Sequence, residues 1–181
     1  PFQRNKITDW MRVYYAMVAN LDYNVGRLRS AIKELGIEKD TVFVFTSDHG
    51  EMFGAHGRHA KNIFYDEAVR VPFLIEWPGH IPAGKKDFCF NTVDIMPTLL
   101  SLMGIKYPEE VEGEDLSQCL TSDADNTNPS LMMGTGPTAI FGIGKEWRAV
   151  RDKRFTYAVY RIDKSEYLFD NQSDPYQVRN L

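Results

Sequence analysis

An apolar stripe between residues 11 and 35 constrains the fold of this chain more than any other pattern. Its members are Met11, Tyr14, Val18, Leu21, Val25, Leu28, Ile32 and Leu35. Because they recur at steps of three and four, they share one face of an α-helix. The stripe predicts one long amphipathic helix that packs by this face. Thr8 or Asp9 can cap its start, and Gly36 can end it.

The next part of the chain alternates strand-like and helix-like patterns. Residues 41–46 (Thr-Val-Phe-Val-Phe-Thr) form a β-branched and aromatic run that is typical of a buried strand, and residues 71–77 form a second one. Residues 94–103 predict a helix, with Pro97 in its first turn and Gly104 beyond its end. Helix, strand, loop and strand in this order predict an α/β sheet with helices on its faces.

The last part of the chain has a different pattern. Residues 121–130 carry no apolar side chain larger than alanine, which predicts a loop. Three short alternating runs follow, separated by turn-like polar residues. They span residues 147–151, 154–160 and 166–169. Such runs predict an antiparallel meander. We therefore expect an α/β part over residues 1–127 and an antiparallel subdomain over residues 128–181.

Composition excludes several classes of protein. Hydrophobic residues make up 43% of the chain and charged residues 25%, as in ordinary globular proteins. A formal net charge of −4 is too small to imply a particular partner, and the absence of a Lys/Arg run argues against nucleic-acid binding. No apolar run is long enough for a membrane span. Cys89 and Cys119 show neither a disulfide framework nor zinc-type spacing, so we expect small buried hydrophobes.

Polar residues follow the first predicted strand directly. Asp48 and His49 stand where residues 41–46 end, and ligands of open α/β sheets bind beyond the carboxyl ends of strands. A carboxylate suits a hard divalent cation, and an imidazole suits softer ions. Lys61, in the glycine- and histidine-rich loop that follows, suits an anion because an ammonium group is a compact point charge. An Asx-turn with a solvated histidine and a surface lysine are the plain alternatives.

Taken together, these motifs closely resemble the second signature region of the type I sulfatases, which belong to the alkaline-phosphatase-like superfamily. The matching residues are 46–51 (Thr-Ser-Asp-His-Gly-Glu), 54–57 (Gly-Ala-His-Gly), Lys61 and 65–72. Segments 15–26, 94–105 and 166–181 resemble further family elements in the same order. The resemblance implies part of an alkaline-phosphatase-like sandwich. Residues 1–127 would be the C-terminal portion of its catalytic α/β domain, and residues 128–181 a small antiparallel β subdomain.

The resemblance also implies roles for individual residues. Asp48 and His49 would ligate a divalent cation, with calcium as the first choice and manganese as the second. Lys61 would contact the substrate sulfate, and His56 would belong to the same catalytic loop without a fixed role. The implied reaction is hydrolysis of a sulfate ester with a formylglycine as nucleophile. Sulfated carbohydrates, aryl sulfates and choline sulfate all stay open as substrates.

The nucleophile of that family is missing from this sequence. Its formylglycine arises from a Cys/Ser-x-Pro/Ala-x-Arg signature, and neither Cys89 nor Cys119 is followed by one. The chain also opens at Pro1 without methionine and has no Asp-Asp pair. We therefore expect a carboxy-terminal piece that is inactive alone, with the formylglycine upstream. A phosphodiesterase or phosphonate monoester hydrolase of the same superfamily is one alternative, and a non-catalytic binding module is another.

Overall fold

The computed structural model describes residues 4–134 and 146–181, and the chain divides into two compact units. The first unit runs up to Lys61 and resumes over Glu67–His80. The second unit contains Asn62–Asp66 and Ile81–Leu181. The chain therefore enters the second unit for one short segment, returns to the first, and then continues in the second. The predicted boundary at residue 127 concerns the domains of the whole protein and stays a prediction.

Helix α1 spans Arg4–Glu34 and dominates the first unit. Gly36, at φ +70°, follows its last turn and donates its N–H to the carbonyl of Lys33, which confirms the predicted end. The predicted start was wrong, because Thr8 and Asp9 both lie inside the helix. Their capping side chains signal a start only where the preceding residues stop being helical, and no Gly or Pro stands between residue 4 and Thr8.

The apolar stripe of α1 is largely exposed. Val25 and Ile32 are half-buried. The exposed members of the stripe are Met11, Tyr14, Val18, Leu21, Leu28 and Leu35. The helix predicted by the stripe is thus present, but its packing face is mostly uncovered within the described residues. None of the described helices combines the length and the apolar character that a membrane crossing needs.

Two short strands flank the loop that contains Asp48, His49 and Lys61. β1 spans Phe43–Thr46, β2 spans Phe73–Glu76, and they pair antiparallel with Thr46 opposite Phe73. Both lie within the predicted runs, which confirms the two strands, but the residues of β1 are half-buried or exposed rather than buried. Helix α2, Asp66–Val69, precedes β2. Because the strands are antiparallel, the end of β1 lies beside the start of β2, so the loop that leaves β1 begins next to the segment that enters β2.

The helix predicted over residues 94–103 is α3, Thr92–Leu102. It begins two residues early because Asn91 caps it in a capping box, in which the Asp94 carboxylate accepts the Asn91 N–H at 2.8 Å. Pro97 therefore lies in the second turn rather than the first. Gly104, at φ +68°, follows the helix as predicted. A further short helix, α4 (Ser117–Thr121), was not predicted.

The second unit contains the predicted antiparallel meander. Its strands, in order across the sheet, are β3 (Ser130–Gly134), β4 (Trp147–Arg151), β5 (Phe155–Tyr160) and β6 (Glu166–Asp170). The last three match the predicted runs. β3 was missed because it begins in the polar run of residues 121–130 and ends in a glycine. Gly134 faces Trp147, where a Cβ would lie 2.1 Å from the indole nitrogen.

The segment Asn62–Asp66 contributes to the core of the second unit. Phe64 is 1% exposed and packs among aromatic rings. These rings belong to Tyr65, Trp147, Tyr160, Tyr167 and Phe169. The Trp147 indole donates to the carbonyl of Asn62 at 3.2 Å, and the Asp66 N–H donates to the side chain of buried Gln177 at 2.9 Å. The residues that directly follow Lys61 are therefore firmly anchored.

A carboxylate at the end of β6 ties the β4–β5 turn to the sheet. The guanidinium of Arg154 donates to the Asp170 carboxylate through Nη2 at 2.8 Å and through Nε at 3.2 Å. These hydrogen bonds lower the pKa of Asp170 to about 2, with smaller help from the amide of Gln172 and against the effect of desolvation. The carboxylate is therefore ionised in the folded state well below its usual range.

We expect Asp170→Asn to destabilise the chain at neutral pH and to matter less in acid. The folded-state pKa is depressed, so the contribution of the carboxylate is complete above about pH 4 and is lost as the pH falls through about 2. The difference in urea midpoint between wild type and variant should shrink over that interval, and Arg154→Ala should show the same trend. A difference that stays constant from about pH 6 to about pH 2 would contradict this assignment.

Candidate active site

The turn after β1 rests directly on the backbone of α2. The Gly50 N–H donates to the carbonyl of Ala68 at 2.8 Å. A Cβ added at Gly50 would lie 1.9 Å from the carbonyl oxygen of Glu67, so only glycine fits without a shift. The Ser47 hydroxyl donates to the carbonyl of His49 at 2.9 Å and tightens the same turn. The backbone that carries Asp48 and His49 is thus held at both ends.

The imidazole of His49 lies between a carboxylate and an ammonium group. Its Nδ1 lies 2.7 Å from the carbonyl oxygen of Gly50, and its Nε2 lies 3.3 Å from Oδ2 of Asp48. The Nζ of Lys61 lies 2.5 Å from the same Nε2. A carbonyl oxygen only accepts, so we assign the proton to Nδ1 and the lone pair to Nε2. That lone pair can accept from Lys61 or ligate a metal ion.

The carboxylate of Asp48 is suited to a cation. Its side chain is 82% exposed. Desolvation would raise its pKa, but the His49 N–H that donates at 2.9 Å, attraction to His49 and a contact with Ser47 lower the pKa below its ordinary value. The group is therefore anionic at neutral pH. Asp48 and His49 thus offer an anionic oxygen and a ring nitrogen side by side.

The loop from residue 53 to residue 62 holds an unusual backbone. Of the six non-glycine residues with positive φ in the described parts of the chain, four lie in this loop. They are Phe53, His56, Ala60 and Asn62. Ala60 and Asn62 flank Lys61, at +62° and +72°. Non-glycine residues rarely adopt this backbone conformation, and such strain clusters at functional sites.

His56 occupies a different position from the other three predicted site residues. It lies in a short 3₁₀ turn, Ala55–Gly57, at φ +52°. Its side chain is 13% exposed, and its Nε2 lies 3.9 Å from the carboxylate of Glu67. The structure thus brings Asp48, His49 and Lys61 together and places His56 against Glu67. The roles of all four residues stay predictions.

One residue that holds this loop was missed by sequence reasoning. The Oε1 of Glu51 accepts the N–H of Phe53 at 3.3 Å and the N–H of Ala60 at 2.5 Å. A carboxylate that binds main-chain amides leaves no pattern in a sequence, because every residue except proline offers the same amide. The one available signal was the position of Glu51 directly after Asp48-His49-Gly50.

The donor set fits part of a metal site. Asp48 and His49 supply two ligand atoms of suitable chemistry. Over residues 4–134 and 146–181, no group of three or more His, Cys, Asp or Glu side chains is arranged to hold a metal ion. Calcium takes about six to eight ligands, mostly oxygen. A complete site would therefore need further ligands beyond those that the described residues provide.

Two family models match this chain. The sulfatase model covers residues 2–105, more than half of the chain. A model described as N-sulphoglucosamine sulphohydrolase, C-terminal, covers residues 54–181. The two matches overlap across the whole loop between residue 54 and β2, so Lys61 lies within both matched ranges.

Individual proteins match along nearly the full chain. An ulvan-active sulfatase from Formosa agariphila is 41% identical over 93% of this chain, which spans 34% of that protein. A solved structure described as a complex with its substrate D-glucosamine-2-N,6-O-disulfate has a TM-score of 0.88 and 27% identity, over 97% of this chain and 36% of its own. The phosphonate monoester hydrolase of Agrobacterium radiobacter has a TM-score of 0.77 and 28% identity, over 93% and 36%. The chain spans about a third of each.

We expect Gly50→Ala to destabilise the chain and distort the turn that carries Asp48 and His49. The added Cβ would collide with backbone rather than with a side chain that can move, and such overpacking costs about 1–3 kcal/mol. Gly26→Ala is the matched control, since a Cβ at Gly26 meets open space on α1. The control should be neutral or stabilising by up to about 1 kcal/mol. Equal urea midpoints for the two variants would refute the close approach.

Proposed function

The chain belongs to the sulfatase family, and on that premise we propose that the protein of which it forms part hydrolyses a sulfate ester. One observation carries the proposal beyond the family match. Asp48, His49 and Lys61 form one cluster, in which the Lys61 ammonium lies 2.5 Å from Nε2 of His49. The cluster thereby combines two potential metal ligands, the Asp48 carboxylate and the His49 imidazole, with a cation, Lys61, that can bind an anionic substrate.

Asp48 and His49 are the metal ligands in this proposal. Calcium is the first choice because a carboxylate is its usual ligand, and manganese is the second because imidazole suits it better. When bound, the metal supplies Lewis-acid stabilisation of charge on the sulfate oxygens. The remaining ligands and the formylglycine nucleophile come from parts of the protein outside this chain. The contact of His49 Nδ1 with the Gly50 carbonyl supports the ligand role, because in the neutral imidazole it places the proton on Nδ1 and the lone pair on Nε2.

Lys61 binds the substrate sulfate in this proposal. Its backbone is fixed between two residues of positive φ, and its ammonium group already lies against His49, one of the two proposed metal ligands. A sulfate oxygen that takes the place of the His49 nitrogen as acceptor would receive a charge-assisted hydrogen bond. The ammonium would stabilise negative charge on the sulfate both in the bound substrate and in the transition state.

We propose a sulfated carbohydrate as the substrate class. The support is that one similar protein is an ulvan-active sulfatase and another was solved with a disulfated glucosamine as its substrate. A phosphonate monoester is the second candidate, because the phosphonate monoester hydrolase has the same fold over 93% of this chain. Assays of the complete protein with 4-nitrophenyl sulfate and with a phenylphosphonate monoester, followed by sulfated sugars, separate the two. A clear preference for the phosphonate would overturn the sulfatase assignment.

We expect two variants of the complete protein to separate substrate binding from metal binding. Lys61→Ala should lower kcat/KM for 4-nitrophenyl sulfate by about a hundredfold or more, with metal content unchanged, because one preorganised charge contact is lost. Asp48→Ala should lose bound metal together with activity. The exposed Lys85 gives the matched control, and Lys85→Ala should change neither. Unaltered kinetics in Lys61→Ala would return Lys61 to the role of a surface lysine.

We expect the 181-residue chain by itself not to hydrolyse 4-nitrophenyl sulfate. The physical reason is that the chain contains no formylglycine signature, and that its described residues supply two proposed metal ligands, too few for a complete site. The rate of 4-nitrophenol release should equal that of buffer, with and without added calcium or manganese. Turnover above buffer that co-purifies with the chain, and that Lys61→Ala removes, would contradict this expectation.

A further inference from the structure

We propose that Glu51 is a positioning residue that fixes Lys61 through the main chain of Ala60. The inference rests on the proposed function, since it concerns how the sulfate-binding lysine is held. It assigns a task to a side chain outside the proposed metal ligands and the proposed sulfate contact.

The contacts around Ala60 are reciprocal. Its N–H donates to Oε1 of Glu51 at 2.5 Å, and its carbonyl accepts the N–H of Met52 at 3.0 Å. Two successive residues, Glu51 and Met52, thereby hold both polar groups of Ala60. Met52 is 2% exposed, so its own position is fixed by packing. Ala60, the residue before Lys61, is therefore held by hydrogen bonds at both its N–H and its carbonyl.

The backbone of Ala60 needs such a hold. Its φ of +62° lies in the left-handed region, which alanine seldom occupies and which persists only when surrounding contacts enforce it. A hydrogen bond to a carboxylate is stronger than one between neutral groups, so Glu51 is well suited to enforce it. Relaxation of Ala60 would redirect the chain at Lys61 and move its ammonium away from His49.

The same oxygen also binds the start of the loop. Oε1 of Glu51 accepts the N–H of Phe53 at 3.3 Å, so one atom joins the two ends of the segment that runs from residue 53 to residue 60. Between these ends Gly54 and Gly57 adopt positive φ, and the Gly54 N–H donates to the carbonyl of Arg58 at 2.7 Å. The loop is thus folded on itself, and Glu51 closes it at the point from which Lys61 projects.

The test uses three variants of the complete protein. Glu51→Ala removes the acceptor, and Glu51→Gln keeps an acceptor oxygen of nearly the same reach. Asp152→Ala is the matched control, because Oδ1 of Asp152 likewise accepts two main-chain N–H groups, those of Arg154 and Phe155, in the turn of the second unit. It removes the same kind of contact without touching the loop that carries Lys61.

We expect Glu51→Ala to lower kcat/KM for 4-nitrophenyl sulfate by about a hundredfold, the usual effect of misplacing a site group by about 1 Å. Inhibition by inorganic sulfate should weaken with it, while metal content stays at the wild-type level. Glu51→Gln should recover most of the activity, and Asp152→Ala should retain wild-type kinetics. Amide hydrogen exchange in a peptide covering residues 52–61 should accelerate in Glu51→Ala and far less in Glu51→Gln.

Several outcomes would overturn the inference. Loss of metal in Glu51→Ala would show that Glu51 acts on the metal site rather than through Ala60, and a Gln variant no better than Ala would show that charge matters rather than the hydrogen-bond acceptor. Equal loss of activity in Asp152→Ala would reduce the effect to general stability. If the complete protein hydrolyses no sulfate ester, the proposed function fails by itself. The exchange experiment still decides whether Glu51 holds Ala60, because it does not depend on activity.

Discussion

The contact between Gly50 and the backbone of α2 is the constraint on which the site depends. The N–H of Gly50 bonds the carbonyl of Ala68 at 2.8 Å, and its missing side chain lets the carbonyl of Glu67 approach. The proposed ligands Asp48 and His49 precede this contact, and Glu51 follows it. A fixed point in the middle of a polar turn therefore supports both the proposed metal ligands and the loop that carries Lys61.

Sequence patterns predicted those elements whose cause is local. The repeat of apolar residues predicted α1 and its end at Gly36, and alternating runs predicted the strands of the meander. Thr8 and Asp9 misled, because a capping side chain acts only where a helix begins. Asn91 was overlooked as a cap, and β3 was missed because its pairing with β4 rather than its own composition makes it a strand.

The candidate site was predictable in its residue types and unpredictable in its arrangement. Asp48 and His49 are neighbours in the sequence, so their proximity follows from the chain. Lys61 stands twelve residues beyond His49, and its approach depends on a loop whose backbone conformations carry no side-chain signal. The acceptor role of Glu51 was hidden for the same reason. Long-range main-chain contacts determine where these side chains meet, and they are read only from a structure.

The passage of residues 62–66 through the second unit has a consequence for how recombination between genes can exchange parts of such a protein. A crossover at one point in a gene joins the start of one chain to the end of another. Here no single junction separates the two units, since the first resumes at Glu67 after Phe64 has entered the core of the second. The overlap of the two family models between residues 54 and 105 falls across this passage. Recombination would therefore transmit the two units together rather than exchange one as a cassette.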